Sequence, residues 1–161
     1  MCLSVYLGTN TPLDIPRDIK LGSLGIELSA FTPPPLRRNH QFTYYLGRKG
    51  DGEKLECSCM LMEHVDWTED GPVVSVDQLY PAGGPCPFET LRFYCASATA
   101  EGKYATIVCD DAGGVDIGST EADYCTGEMV HLEHVARGHL LFADASGGFP
   151  WRAIHVVNAS G

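Results

Sequence analysis

The sequence predicts an α+β fold: one domain over residues 1–161, with a mixed, mostly antiparallel sheet and one main helix, about 85–101, packed on it. Three observations carry this. Eighteen glycines and ten prolines cut the chain into short segments, which favours strands and turns over long helices. Apolar residues alternate with a period of two in several of those segments. A single stretch repeats apolar residues at helical spacing, through Phe88, Leu91, Cys95 and Ala98. A chain of 161 residues, 44% hydrophobic and 20% charged, is long enough to bury one core.

In chain order, Cys2 to Leu7 places Leu3, Val5 and Leu7 on one face and Cys2, Ser4 and Tyr6 on the other. That is a half-buried strand, ended by Gly8. Leu13 to Gly25 reads as loop, and Ile26 to Phe31 as a short strand. Pro33-Pro34-Pro35 is a stiff extended spacer. Phe42 to Leu46 and Lys54 to Leu61 read as a hairpin turned by Gly47 through Gly52, with Asp51-Gly52 as the turn signal. In its second strand Leu55, Cys57, Cys59 and Leu61 would share one face, and Glu56, Ser58, Met60 and Met62 the other. Val73 to Leu79 is a further short strand.

The helix opens at Pro85-Cys86-Pro87-Phe88-Glu89, because proline suits a first turn and an early glutamate suits the helix dipole. Gly102 stops it. Tyr104 to Asp110 follows as a strand with Ala105, Ile107 and Cys109 on one face and Val108 on the other. Asp111 to Gly127 is an acidic, glycine-rich loop whose carboxylate spacing does not match a calcium loop. Val130 to Arg137 is a short helical turn. His139 to Ala143 and Trp151 to Val157 close the chain as a pair of strands.

The net charge of −10 repels phosphate backbones and excludes nucleic-acid binding driven by counterion release. Arg37, Arg38, His40, Arg48 and Lys49 are near in sequence but read as solvated charges on an acidic body. No apolar run approaches the ~20 residues of a membrane span, and the start lacks the features of an export signal. Seven cysteines, odd in number and irregularly spaced, indicate reduced thiols and a cytoplasmic location.

Chemistry is best sought in Tyr44–His64. Cys57 and Cys59 are two apart on an expected strand, so both sulfurs could approach one soft metal ion, with Cys2 as a third donor. Met60, Met62 and His64 are further soft or borderline donors. Set against this, cysteine is among the most buried residue types, and core packing beside Leu55 and Leu61 is the default account of the pair. Cys2 laid bare by loss of Met1 would form an amine–thiol pair, although one clear helix falls short of the layered sheets such a nucleophile needs. His131 and His134 would share a helical face, which is half a metal site.

The chain start Met1-Cys2-Leu3-Ser4-Val5-Tyr6-Leu7, the Tyr44-Tyr45-Leu46-Gly47 run and the following Cys57-Ser58-Cys59 resemble a family of small bacterial proteins of uncharacterised function. The ending is similar too, from His131-Leu132-Glu133-His134-Val135 through Leu141-Phe142 to a last strand at Ile154–Val157. In that family a Gly-Cys-Gly-Cys-Gly run follows the tyrosines almost at once. Here nine residues separate Gly47 from Cys57, and Glu56, Ser58 and Met60 occupy the glycine positions. The resemblance implies a shared fold and no particular activity.

The expected function is non-enzymatic. An acidic protein of this kind acts through a protein partner, through self-association or by structure, with no nucleic acid, no membrane and no cofactor. The alternative is a thiolate metal-binding protein that holds zinc or another soft ion on Cys57, Cys59 and Cys2.

Overall fold

The computed structural model describes residues 3–13, 24–33, 36–48, 55–58, 61, 65–68, 71–74, 87–111, 125–135 and 152–158. Within them run the strands β1 (Leu3–Thr9), β2 (Leu24–Leu28), β3 (Phe42–Arg48), β4 (Val65–Thr68) and β5 (Gly71–Val74), then helix α1 (Pro87–Ala98). Strands β6 (Ala105–Asp111) and β7 (Cys125–His131), the one-turn helix α2 (Leu132–Val135) and β8 (Arg152–Val157) complete the order. Six strands form one mixed sheet in the order β2-β3-β1-β6-β8-β7, and β4 and β5 form a separate two-stranded ribbon. The α+β class read from the sequence is the observed one.

Every pairing in the six-stranded sheet is antiparallel except β7 with β8. A parallel pair cannot be joined by a tight turn and needs a crossover, and α2 begins that connection. The register then sorts the side chains by face. Val5 pairs with Leu46 on one side and Cys109 on the other, Leu7 with Tyr44 and Ile107, and Ile107 with Ile154. All of these are buried in one core beneath α1, which contributes Phe88, Leu91, Cys95 and Ala98. The helical spacing of those four was legible because each must meet the same apolar sheet face. Full burial of Phe88 and of Leu91 stabilises the fold by about 1.5–3 kcal/mol each. The Tyr94 hydroxyl donates to the Leu24 carbonyl (3.3 Å) and ties α1 to β2.

The helix ends where side chain and backbone both close on Cys95. Thr99 donates from its amide (2.9 Å) and from its hydroxyl (2.8 Å) to the Cys95 carbonyl. Glu101 (φ 62°) and Gly102 (φ 78°) are then left-handed, which reverses the chain toward β6. Gly102 was expected as the stop; the left-handed glutamate before it is the less common feature.

Four expectations need correction. Among the described residues 55–58 and 61, no strand runs along β3, whose two edges β2 and β1 occupy. Instead the 55–58 segment crosses the end of β3: the Glu56 amide donates to the Arg48 carbonyl (2.8 Å) and the Arg48 amide to the Cys57 carbonyl (3.2 Å). The second strand lies at Leu24–Leu28 rather than at 26–31. The expected loop at 111–127 ends in β7, and the helical turn begins at Leu132 rather than Val130, since Val130 is drawn into the sheet beside Val156. Finally, the ribbon strand β4 had no expected counterpart, and β5 (Gly71–Val74) begins before the expected strand at Val73–Leu79, whose residues 75–79 lie outside the described residues. The expected strand at His139–Ala143 lies outside the described residues.

Candidate functional site

Two arrangements carry polar chemistry. The first is the Cys57 region. Ser58, not Cys57, is the fully buried residue of this pair, and Cys57 is half-buried. The Ser58 hydroxyl receives the Val5 amide (3.0 Å) and donates to the Leu46 carbonyl. Val5 and Leu46 are the last partners in the β1–β3 ladder, so the serine hydroxyl stands where that ladder stops and serves both strands. Gly47 makes the crossing possible, since a Cβ there would collide with the Glu56 carbonyl. The Tyr45 hydroxyl also donates to that carbonyl (3.0 Å).

The expected alternation is thereby inverted, with residue 58 inward and residue 57 toward the margin. A chain that crosses a strand end, rather than pairing along it, no longer follows the two-residue period of a sheet. Cys59 and Cys2 lie outside the described residues, as do Met60, Met62 and His64. Among the described residues no group of three or more His, Cys, Asp or Glu side chains is placed to hold a metal ion. His131 ends β7 and is not on a common helix with His134.

The second arrangement lies on the opposite face of the sheet and was not anticipated. The connection from β2 to β3 folds back beneath the strands. Ser29 turns it, accepting the Phe31 amide (3.1 Å) and donating to the Phe31 carbonyl (2.6 Å). Leu36 is buried in a small second cluster with Val108 and Ala153, with Tyr6 packed against it. The Gln41 amide is shared between the Thr9 carbonyl (3.1 Å) and Asn10 Oδ1 (3.2 Å).

Between these anchors His40 reaches across β1 to β6. Its Nε2 is 2.6 Å from Thr106 Oγ1, and the same oxygen is 2.8 Å from Nδ1 of His155 on β8. Tyr104 meets both imidazoles edge-on, with ring centres 5.0 Å from His40 and 5.7 Å from His155. Gly8 is what allows the crossing: a Cβ there would sit 2.5 Å from Leu36 Cδ2 and 2.9 Å from His40 Cδ2. Thr106 is fully buried, and Nδ1 of His40 is a buried atom with no hydrogen-bond partner. Burial, and secondarily the charge of His155, push the His40 imidazole down from 6.5 to about 4, so at neutral pH it is uncharged.

Part of this second arrangement could have been found from the sequence. Ile154-His155-Val156 alternates, so an inward Ile154 and Val156 require His155 on the other face, level with Thr106 between Ala105 and Ile107. Nothing in the sequence alone places His40 there, because it arrives on an irregular connection.

No family model, no curated protein and no solved structure matches this chain.

Proposed function

We propose that this protein is a non-enzymatic, acidic binding protein that recognises a protein partner, or a second copy of itself, along a margin of its sheet. One observation carries the proposal. Among the described residues β2 and β7 are the outer strands of the six-stranded sheet, and each presents a large exposed apolar side chain, Leu28 (67% exposed) and Met129 (61% exposed). An outer strand offers backbone donors and acceptors in register for an added strand, and an apolar side chain beside them adds contact area. The only charged residue within β2 is Glu27, so this margin has little of the charge that usually blunts a sheet edge. The net charge of −10 favours a basic partner and an association that weakens as salt rises.

The working compartment in this proposal is the cytoplasm. The buried Cys95 thiol, which is not in a disulfide, suits a reducing environment, and no described helix is long and apolar enough to cross a membrane. Co-purification of the tagged chain from its source cells tests the proposal. The wild type should retain a stoichiometric partner at low salt, and Leu28→Lys or Met129→Lys should lose it. Retention of the same partner by both variants would count against the sheet margin as the binding surface.

A second reading, a thiolate site for zinc or another soft ion on Cys57, Cys59 and Cys2, draws support from the Val5–Ser58 hydrogen bond. That bond fixes Ser58, which lies between Cys57 and Cys59 in sequence, beside Val5 of β1, and Val5 is three residues from Cys2 in sequence. Elemental analysis of protein purified without chelator should then give close to one equivalent of metal. Cys57→Ser with Cys59→Ser should abolish it, and less than about a tenth of an equivalent in the wild type would remove this reading.

A further inference from the structure

We infer that the segment carrying Leu36 and His40 is a proton-operated latch: it stays closed over the second face of the sheet while the His40–Thr106–His155 chain holds at most one extra proton, and opens when it takes a second. The inference rests on counting donors and acceptors around one hydroxyl. Thr106 Oγ1 has one proton to give and lone pairs to receive. With both imidazoles neutral, one ring N–H donates to the oxygen and the hydroxyl donates to the other ring. With His155 protonated, its Nδ1–H donates to Thr106, and the Thr106 hydroxyl donates to Nε2 of His40. Each of the three contacting atoms still has a partner. Add a proton to His40 and the count fails. Nε2–H and Nδ1–H of the two rings then both point at one oxygen, the threonine proton has no acceptor within the chain, and two like charges flank a buried hydroxyl. The cation also fixes an N–H on His40 Nδ1, the buried atom without a partner, whereas a neutral ring can leave that nitrogen bare by donating from Nε2.

The surroundings offer little to offset that charge. The titratable groups facing His40 are Tyr104, which precedes β6, and His155 on β8. β1 presents Gly8, which has no side chain. Lys103 is engaged with Thr11 through Nζ (3.0 Å). Arg37 and Arg38, on the latch itself, are exposed, and they add positive charge rather than relieve it. Asp110 is four residues from Thr106, about 13 Å along a strand. His131 is on the outer strand β7, beyond β8.

The sign follows from the His40 imidazole, whose folded value of about 4 lies below its ordinary 6.5. The unfolded or opened segment therefore binds the proton more readily than the closed one. The latch is fully stabilised above about 6.5 and loses that stabilisation as the pH falls through about 4. Opening would expose Tyr6, Val108 and Ala153, the apolar patch that Leu36 covers. The sheet core under α1 contains none of these groups, so it should outlast the latch.

Amide hydrogen exchange, corrected for the intrinsic effect of pH, tests this. Protection at Leu36 and Gln41 should fall by ~tenfold or more between about pH 6.5 and about pH 4, while amides of Val5 and Ile107 remain protected. His40→Gln should hold its protection across that range, since an amide can donate to Thr106 without titrating. Thr106→Ser should behave as wild type, and Thr106→Val should be open at every pH. Unchanged protection of the wild type down to pH 4, loss of latch and core together, or the same pH response in His40→Gln would each overturn the inference.

Discussion

Cys95 shows how far a single buried position decides chemistry. It lies in the core between α1 and the sheet, fully inaccessible, and burial pushes its thiol up to about 12. At ordinary pH it is therefore neither ionised nor reachable, although its carbonyl organises the helix end through Thr99. Alkylation with iodoacetamide at pH 8, followed by peptide mass mapping, should leave Cys95 unmodified in the folded protein and modify it fully in denaturant. Rapid labelling of the native protein at Cys95 would mean that the α1–sheet core opens readily. The helical reading of Phe88, Leu91, Cys95 and Ala98 identified this burial directly, because four residues on one helical stripe have only one apolar face to meet. The same logic misassigned Cys57. The described part of its expected strand meets β3 only at Arg48, and a two-residue period has little force where no extended ladder exists.

At the level of elements, the short 55–58 crossing matters more than its length suggests. Its Ser58 hydroxyl supplies the bond that Val5 would otherwise lack at the end of the β1–β3 ladder and takes up the Leu46 carbonyl as well. Ser58→Ala should lower the unfolding free energy by about 1–3 kcal/mol in urea titrations, because a buried amide and a buried carbonyl both lose their partner. A change under ~0.3 kcal/mol would show that water or a backbone shift replaces the hydroxyl. Strands β1, β6 and β8 were legible because each alternates between the core face under α1 and a second face that carries Tyr6, Thr106, Val108 and His155. The β2–β3 connection was not. Its turn at Ser29, its anchor at Leu36 and its contact at His40 arise from residues with no common period, and the space for them is created by the absence of a side chain at Gly8, a strand away.

Across the whole molecule, the two faces of the sheet are divided between stability and response. Among the described residues, the buried core under α1 is apolar, and its ionisable groups are thiols and the Tyr44 and Tyr94 hydroxyls; these two hydroxyls are engaged with the Leu13 amide and the Leu24 carbonyl. The opposite face carries the two histidines and a latch that spans β1. Among the described residues the outer strands of the sheet are β2 and β7, margins where Leu28 and Met129 are exposed on an acidic body. The charge and the fold class came from composition and period, but which strands are outermost depends on pairings between segments far apart in the chain, and these no local pattern encodes. The binding role rests on those margins, and native mass spectrometry addresses it most directly. Wild-type protein purified from its source cells at low salt should give a stoichiometric complex, with itself or with a basic protein, in place of the 17.4 kDa chain alone. Leu28→Lys or Met129→Lys, still folded by circular dichroism, should return it to the single chain. A wild type that is monomeric and alone under these conditions, or a complex that survives both substitutions, would contradict the account.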